Sequence, residues 1–260
     1  MKSPLKQSIK AISRRLSYEA GKIRTAFPNE PFEAQRQLMA GREKSQITIL
    51  DIGANKGQTA EKYRAKFPGA EIYCFEPFPD SVNLLEKKFS HDARIHIMPM
   101  AVTNENGNNN FYLNDTDATH SLLPRSVSGR RYYPKSAEPK GNIEVRTTTL
   151  DHFVAAHQVP AIDILKFDIQ GGELMAMRGA KGLLQSGHVS LIYTEAFFIP
   201  HYEGAPLFHE LWSFLTEFGY SLFGIYKIHR ATNGQIRYAD VLFVSESIRN
   251  GVINKYPEEP

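Results

Sequence analysis

Ile47-Thr48-Ile49-Leu50-Asp51-Ile52-Gly53-Ala54-Asn55-Lys56-Gly57 is the stretch whose reading sets the fold class. An apolar, β-branched run that enters a glycine turn reads as a buried strand running into a loop. The residues after it, Gln58 to Phe67, suit a helix. Strand, glycine turn and helix N-terminus make a cradle for a nucleotide cofactor. Glycine lets the backbone approach a ligand, and the first helical turn offers unpaired N–H groups. Further on, Glu76 ends the strand-like run Glu71-Ile72-Tyr73-Cys74-Phe75 and precedes Pro77. An acid at the carboxyl end of a second strand is placed to accept hydrogen bonds from ribose hydroxyls.

The glycine spacing narrows the cofactor. A dinucleotide loop carries glycine at positions one, three and six. Counted from Gly53, those later positions are Asn55 and Gln58. A phosphate-binding P-loop has four residues between its glycines, followed by Lys and Ser or Thr. Here three residues separate Gly53 from Gly57, and Gln58 follows. What remains is an acid, Asp51, leading a short glycine loop in which Asn55 tolerates a left-handed backbone. That loop suits S-adenosylmethionine, which has no phosphate to cradle and whose ammonium needs a carboxylate or carbonyl nearby.

Bulk properties exclude several classes. The 260 residues fit one α/β domain with an extension. Hydrophobic residues make up 42% and charged residues 23%, which fits a folded domain with a sizeable core and argues against a disordered chain. A net charge of +3 does not suggest a nucleic-acid binder. The single cysteine, Cys74, allows no intramolecular disulfide and fits a cytoplasmic setting. Neither a membrane-spanning run nor a signal-peptide pattern is evident.

Charge concentrates at the start. Residues 1–27 carry seven Lys or Arg against Glu19, with Leu5, Ile9, Ile12 and Leu16 at helical spacing. Two readings stay open: a basic amphipathic helix in peripheral contact with an anionic membrane or a partner, or a helix packing its apolar stripe on the domain. Residues 1–46 are expected to form this arm and a linker, 47–248 the domain and 249–260 a tail. Self-association into a homo-oligomer stays open as well.

From Ile47 onward strands and helices alternate, which predicts a mainly parallel sheet with helices on both faces. Strands are expected at 47–52, 71–76, 94–98, 162–168, 189–195, 220–227 and 236–244. Helices are expected at 57–67, 80–89, 171–186 and 206–218. Asn233-Gly234 between the last two strands is a hairpin signal, so the last strand should run antiparallel. Short strands at 111–114 and 143–147 bracket a long polar segment, 115–142, either a surface insertion or a lid over an acceptor site. It includes His120-Ser121-Leu122-Leu123 and Arg130-Arg131-Tyr132-Tyr133.

Five segments in order carry a resemblance. Leu50–Gly57, Phe75-Glu76-Pro77, Ala101-Val102 with Asn104-Glu105-Asn106-Gly107, Thr148-Thr149-Leu150-Asp151, and Leu165–Glu173 followed by Arg178-Gly179-Ala180 resemble the motifs of the FkbM family of S-adenosylmethionine-dependent methyltransferases. The match covers roughly residues 47 to 245. One departure is Gln170, where many members carry Glu. The resemblance implies a Rossmann-like class I methyltransferase domain with a seven-stranded sheet. It also implies cofactor contacts from Asp51, Gly53, Ala54, Asn55, Gly57, Gln58, Thr59, Glu76, Pro77, Ala101, Val102 and Asp168. The implied acceptors are hydroxyls on sugars, glycans or specialised metabolites.

An aliphatic hydroxyl must lose a proton during methyl transfer, so a base is required within hydrogen-bond reach. The candidates are Asp168, His120, Glu195 and His201. Asp51, Glu76, Asp168 and Glu195 all sit at strand ends, where open α/β sheets bind ligands. A divalent metal on Asp168 and Glu195, with Glu173 or Asp240, stays open for the same oxygens. Glu173 also suits the start of a helix. The aromatic segment Phe197–Gly204 suits a sugar face or ordinary packing. An N-methyltransferase, a non-catalytic cofactor-binding subunit and, less well, a nicotinamide oxidoreductase are the rival readings.

Overall fold

The computed structural model describes residues 27–40, 47–126, 140–159 and 161–256. The basic arm before Phe27 and the Arg130–Tyr133 cluster lie outside the described residues.

A seven-stranded sheet runs through the centre, formed by β1 (Thr48–Ile52), β2 (Glu71–Phe75), β3 (Ile95–Met98), β7 (Ile162–Phe167), β8 (Val189–Phe197), β9 (Ser221–Arg230) and β10 (Ile236–Val244). Its order is β3-β2-β1-β7-β8-β10-β9. Strands β3, β2, β1, β7 and β8 are parallel, and β10 inserts antiparallel to both β8 and β9. All seven expected strands are present, and the last runs antiparallel as the Asn-Gly turn suggests.

Every residue of β1 is buried because both faces of the sheet are covered. Leu50 and Ile52 join Leu165, Phe167 and Ile192 in one core, beneath α4 (Leu150–His157), α5 (Glu173–Arg178), α6 (Lys181–Gln185) and α7 (Phe208–Glu217). Ile49 joins Ile164 and Leu191 in the other, beneath α1 (Pro31–Leu38), α2 (Gln58–Lys66), α3 (Pro79–Phe89) and α8 (Glu246–Gly251). Each fully buried aliphatic side chain contributes about 1.5–3 kcal/mol relative to exposure, so these strands anchor the domain.

Three helices go beyond the sequence expectation. Residues 31–38 were read as linker, yet Glu30 accepts hydrogen bonds from the Phe32 and Glu33 N–H groups and starts α1. Thr149 caps α4 by accepting from the His152 N–H, and Ser245 caps α8, which runs across the expected boundary between domain and tail. The expected helix 171–186 is instead two. The Asp151 carboxylate accepts from the Gly182 and Leu183 N–H groups at 2.9 and 2.8 Å and so starts α6 afresh. A side chain at Gly179 would meet the Thr103 carbonyl oxygen at 2.2 Å. The break therefore comes from tertiary contacts, which a local pattern does not record.

A second sheet has the order β4-β6-β5, built from β4 (Ala101–Val102), β5 (Gly107–Leu113) and β6 (Gly141–Thr148). The expected short strands at 111–114 and 143–147 are parts of β5 and β6. Ala101, Phe111 and Val145 form its small core, against which Phe78 and Leu122 pack. This sheet holds the 114–126 segment over the carboxyl ends of the main strands.

Candidate active site

The turn after β1 is shaped by its glycines. Gly53 has φ +82° and lies so close to β7 that a Cβ there would sit 2.0 Å from the Asp168 carbonyl oxygen. The Gly53 and Ala54 N–H groups both donate to the Phe75 carbonyl, tying the turn to the end of β2. Asn55 takes φ +48°, the left-handed conformation expected of it. Gly57, at φ +81°, is packed against Leu85 and Phe89 of α3.

A cavity of about 290 Å3 opens beyond this turn. Gly53, Ala54, Asn55, Gln58, Thr59, Glu76, Pro77, Ala101, Val102 and Asp168 all line it. Ile52, Phe75, Met100, Phe111 and Leu122 supply apolar wall, and Asp117, Ala118 and His120 come from the 114–126 segment. Part of the region read as insertion or lid is thus a wall of the cavity. An ion pair between Lys56 and Asp117, 2.8 Å long, joins the glycine turn to that segment. Its hydrogen bond holds the Asp117 carboxyl below the usual range.

Glu76 is buried, and each of its oxygens takes one backbone N–H: Asn55 at 2.8 Å and Phe78 at 2.9 Å. Burial outweighs those bonds and pushes its carboxyl up to about 7. Each oxygen keeps a second lone pair for a ligand hydroxyl.

Two residues expected to contact the cofactor, Gly57 and Asp51, do not line the cavity. Asp51 is fully buried on the far side of the turn, 2.7 Å from Lys166 Nζ. Lys166 also donates to the Gly53 carbonyl at 2.9 Å. Burial alone would lower the Lys166 ammonium, but the Asp51 and Asp168 carboxylates reverse that and raise it. The acid that leads the glycine motif thus fixes the lysine that props the turn.

The four candidate bases separate clearly. Asp168 is exposed at the end of β7 and lines the cavity. Glu195 is held one step further back, with its carboxyl pushed well up by burial and by Asp168, Glu173 and Asp240. His120 borders the cavity, but its Nδ1 accepts the Asn114 N–H at 3.0 Å. The neutral ring then carries its proton on Nε2, so it can donate but not act as a base there. Burial lowers its pKa and keeps it neutral.

His201 is buried away from the cavity. Its Nδ1 bonds the Ile199 carbonyl at 2.9 Å, and its Nε2 lies 3.3 Å from the Arg237 guanidinium. Burial brings its pKa down to about 4. Both ring nitrogens are committed, so His201 is a packing residue stacked on Phe197.

The metal alternatives are committed too. Glu173 accepts from the Ile169 and Gly171 N–H groups at 3.0 and 2.9 Å, shaping the turn after β7. Asp240 pairs with Lys227 at 2.7 Å and accepts from the Tyr193 hydroxyl. Among the described residues there is no group of three or more His, Cys, Asp or Glu arranged to hold a metal.

Gln170 carries a role that its sequence position did not reveal. It sits at φ +56°, and its Nε2 donates to Asp168 Oδ1 at 3.0 Å and Glu195 Oε2 at 2.9 Å. Its Oε1 faces the Tyr202 hydroxyl at 2.8 Å, and its carbonyl accepts from Ser121 Oγ at 2.8 Å.

A family model described as the FkbM methyltransferase domain matches residues 51–222. The chain belongs to the FkbM methyltransferase family. It is similar to the 2-O-methyltransferase NoeI of Sinorhizobium fredii, at 29% identity over 68% of this chain and 74% of that one. It is also similar to the hexuronic acid methyltransferase AglP of Haloferax volcanii, at 25% identity over 62% of this chain and 61% of that one. Among solved structures, fibrillarin of Aeropyrum pernix with bound S-adenosyl-L-methionine aligns over 80% of this chain and 73% of that one. The identity there is 15% and the TM-score 0.43. This FkbM protein is an S-adenosylmethionine-dependent methyltransferase. Among the described residues, no helix is long and apolar enough to cross a membrane.

Proposed function

We propose that this FkbM methyltransferase methylates a hydroxyl group on a sugar or glycan, with Asp168 as the base. The observation that carries the reading is the exposed Asp168 carboxylate on the cavity wall, oriented by Gln170. The names of the two relatives, a 2-O-methyltransferase and a hexuronic acid methyltransferase, support the acceptor class.

The donor set suits S-adenosylmethionine. Apolar wall from Phe75, Met100, Val102 and Phe111 suits a purine, and Glu76 suits ribose hydroxyls. Among the described residues that line the cavity, Lys166 is the one Lys or Arg, and its Nζ is committed to Asp51 and the Gly53 carbonyl. A phosphate would find no uncommitted cationic anchor among those described residues, which weighs against a nicotinamide dinucleotide.

When bound, the cofactor supplies an electrophilic methyl on a sulfonium that departs as a neutral thioether. The protein's part is positioning and proton removal. Asp168 takes the acceptor's hydroxyl proton as the oxygen bonds to the methyl carbon, and later passes that proton to solvent.

The test is turnover with S-adenosylmethionine on a panel of uronic acid and neutral oligosaccharides and amino sugars, with methylated products located by mass spectrometry. O-methylated sugar is expected. Methylation confined to amines would overturn the hydroxyl reading, and cofactor binding without turnover on any acceptor class would favour a binding subunit.

A further inference from the structure

The two carboxyl groups beside the cavity are joined through a neutral amide. Gln170 Nε2 lies between Asp168 Oδ1 and Glu195 Oε2, at 3.0 and 2.9 Å. Both N–H bonds of the amide are used, one on each acid. Its oxygen is turned the other way, toward the buried Tyr202 hydroxyl, which also lies 3.0 Å from the Thr119 carbonyl. The backbone of Gln170 is pinned by Ser121, in the segment that walls the cavity. The stretches around 120, 195 and 202 therefore converge on one residue, the first on its backbone and the other two on its side chain.

Carboxylates brought this close repel unless something positive lies between them. A divalent cation is one answer and an N–H2 group is another. Here the space between the two oxygens is taken by donors, which a cation would meet head on. We propose that Gln170 is a positioning residue that takes the place of a bridging cation, fixing Asp168 toward the acceptor by hydrogen bonds to both acids. The acids accept from the amide nitrogen and hold it toward them, while its oxygen faces the Tyr202 hydroxyl, whose one proton is shared between Gln170 Oε1 and the Thr119 carbonyl. The inference rests on the reading of Asp168 as the base.

It follows that Gln170→Glu converts the site. The new carboxylate has the same shape but offers lone pairs to Asp168 and Glu195, making three acids that face a common centre. A hard cation such as Mn2+ should then be held where the amide nitrogen was.

Mn2+ binding, followed by loss of the free-ion signal in electron paramagnetic resonance, needs no acceptor. Native protein should leave the signal unchanged. Gln170→Glu should deplete it, and Gln170→Glu with Asp168→Asn should not. Steady-state kinetics on the sugar that native enzyme methylates form the second arm. Gln170→Ala should lower kcat about 10- to 100-fold, because small misplacement of a reacting group is costly. Acceptor KM and cofactor affinity should stay within a fewfold. Tyr202→Phe keeps the ring and should lower kcat only a fewfold.

Mn2+ binding by native protein that disappears in Asp168→Asn would overturn the proposal. So would a folded Gln170→Glu protein that binds no Mn2+, or native kcat in Gln170→Ala while Asp168→Asn is impaired. Failure of the base reading looks different, since Asp168→Asn itself would then turn over near the native rate.

Discussion

The two acids at the ends of β2 and β7 face the same cavity and are held in opposite ways. Glu76 is buried and takes two backbone N–H groups, one from Phe78 in its own turn and one from Asn55 in the turn after β1. Asp168 is exposed and is steadied by a side chain that itself depends on Tyr202 and Ser121. The first arrangement belongs to backbone and tolerates little change. The second belongs to side chains from distant segments and can be altered piece by piece. A cofactor common to many enzymes suits the first kind of grip, and an acceptor particular to one enzyme suits the second.

The largest effect should come from Asp168→Asn, which keeps shape and removes charge. We predict a kcat loss of at least about 100-fold, the lower range for a general acid–base group, with cofactor affinity nearly unchanged in calorimetry. Equal losses in kcat and cofactor binding would erase the contrast between the two acids. Glu76→Ala should weaken S-adenosylmethionine binding about 10- to 150-fold, since a hydrogen bond to a charged group is worth roughly 1.5–3 kcal/mol. Unchanged affinity in the folded variant would remove Glu76 from the cofactor site.

Cofactor affinity should also depend on pH. Ribose hydroxyls donate to the ionised form of Glu76, whose carboxyl is raised to about 7. Affinity should fall about tenfold per pH unit below 7 and level off above it. Proton release on binding at pH 7, read by calorimetry in buffers of different ionisation enthalpy, checks the sign; proton uptake would contradict it. For the fold itself, the same raised pKa means that Glu76 stabilises the unbound protein most below its unfolded value of about 4.5. That contribution is lost as pH rises through 7.

Gly53→Ala tests the backbone side directly. The added Cβ meets the Asp168 carbonyl at 2.0 Å, and φ +82° is unfavourable for alanine. The melting temperature should drop by at least roughly 5 °C, because a cost above about 2 kcal/mol moves Tm by a few degrees per kcal/mol. A native Tm would mean that the turn relaxes freely. The smallest change should follow Lys56→Ala, which opens the exposed pair with Asp117. Such pairs contribute about 0–1 kcal/mol, so cofactor dissociation should quicken only a fewfold by stopped flow, and less at high salt.

This division also explains what could be read from the sequence. The main strands were legible because β1, β7 and β8 are apolar runs between turn signals, and the Asn-Gly hairpin oriented β10. The cavity wall around Gly53, Asn55 and Glu76 was legible because it is local to the ends of two adjacent strands. The Asp168–Gln170–Glu195–Tyr202 arrangement was not, since polar pairing between distant segments leaves no periodicity. Gln170 was visible only as a departure from the family pattern. The committed roles of Glu173 and His201 were equally hidden: each bonds backbone groups two to four residues away, and residue types alone do not say which way such a side chain turns. Asp51 shows a subtler limit: its motif placed it correctly in the chain, but not on which side of the turn its carboxylate lies.

The Asp51–Lys166 pair has one more effect, on how the sheet assembles. Asp51 stands opposite Lys166 in the β1–β7 pairing. At the other end of the same strands, the Thr48 N–H donates to Asp163 Oδ2 at 2.9 Å. Apolar strands pack acceptably in more than one alignment, whereas a buried lysine displaced from its acid is an uncompensated charge costing several kcal/mol. A two-residue slip would keep every side chain on its proper face and still separate this pair. The ion pair thus acts as a checkpoint on strand alignment, rejecting sheets in which the two halves of the site would meet out of step.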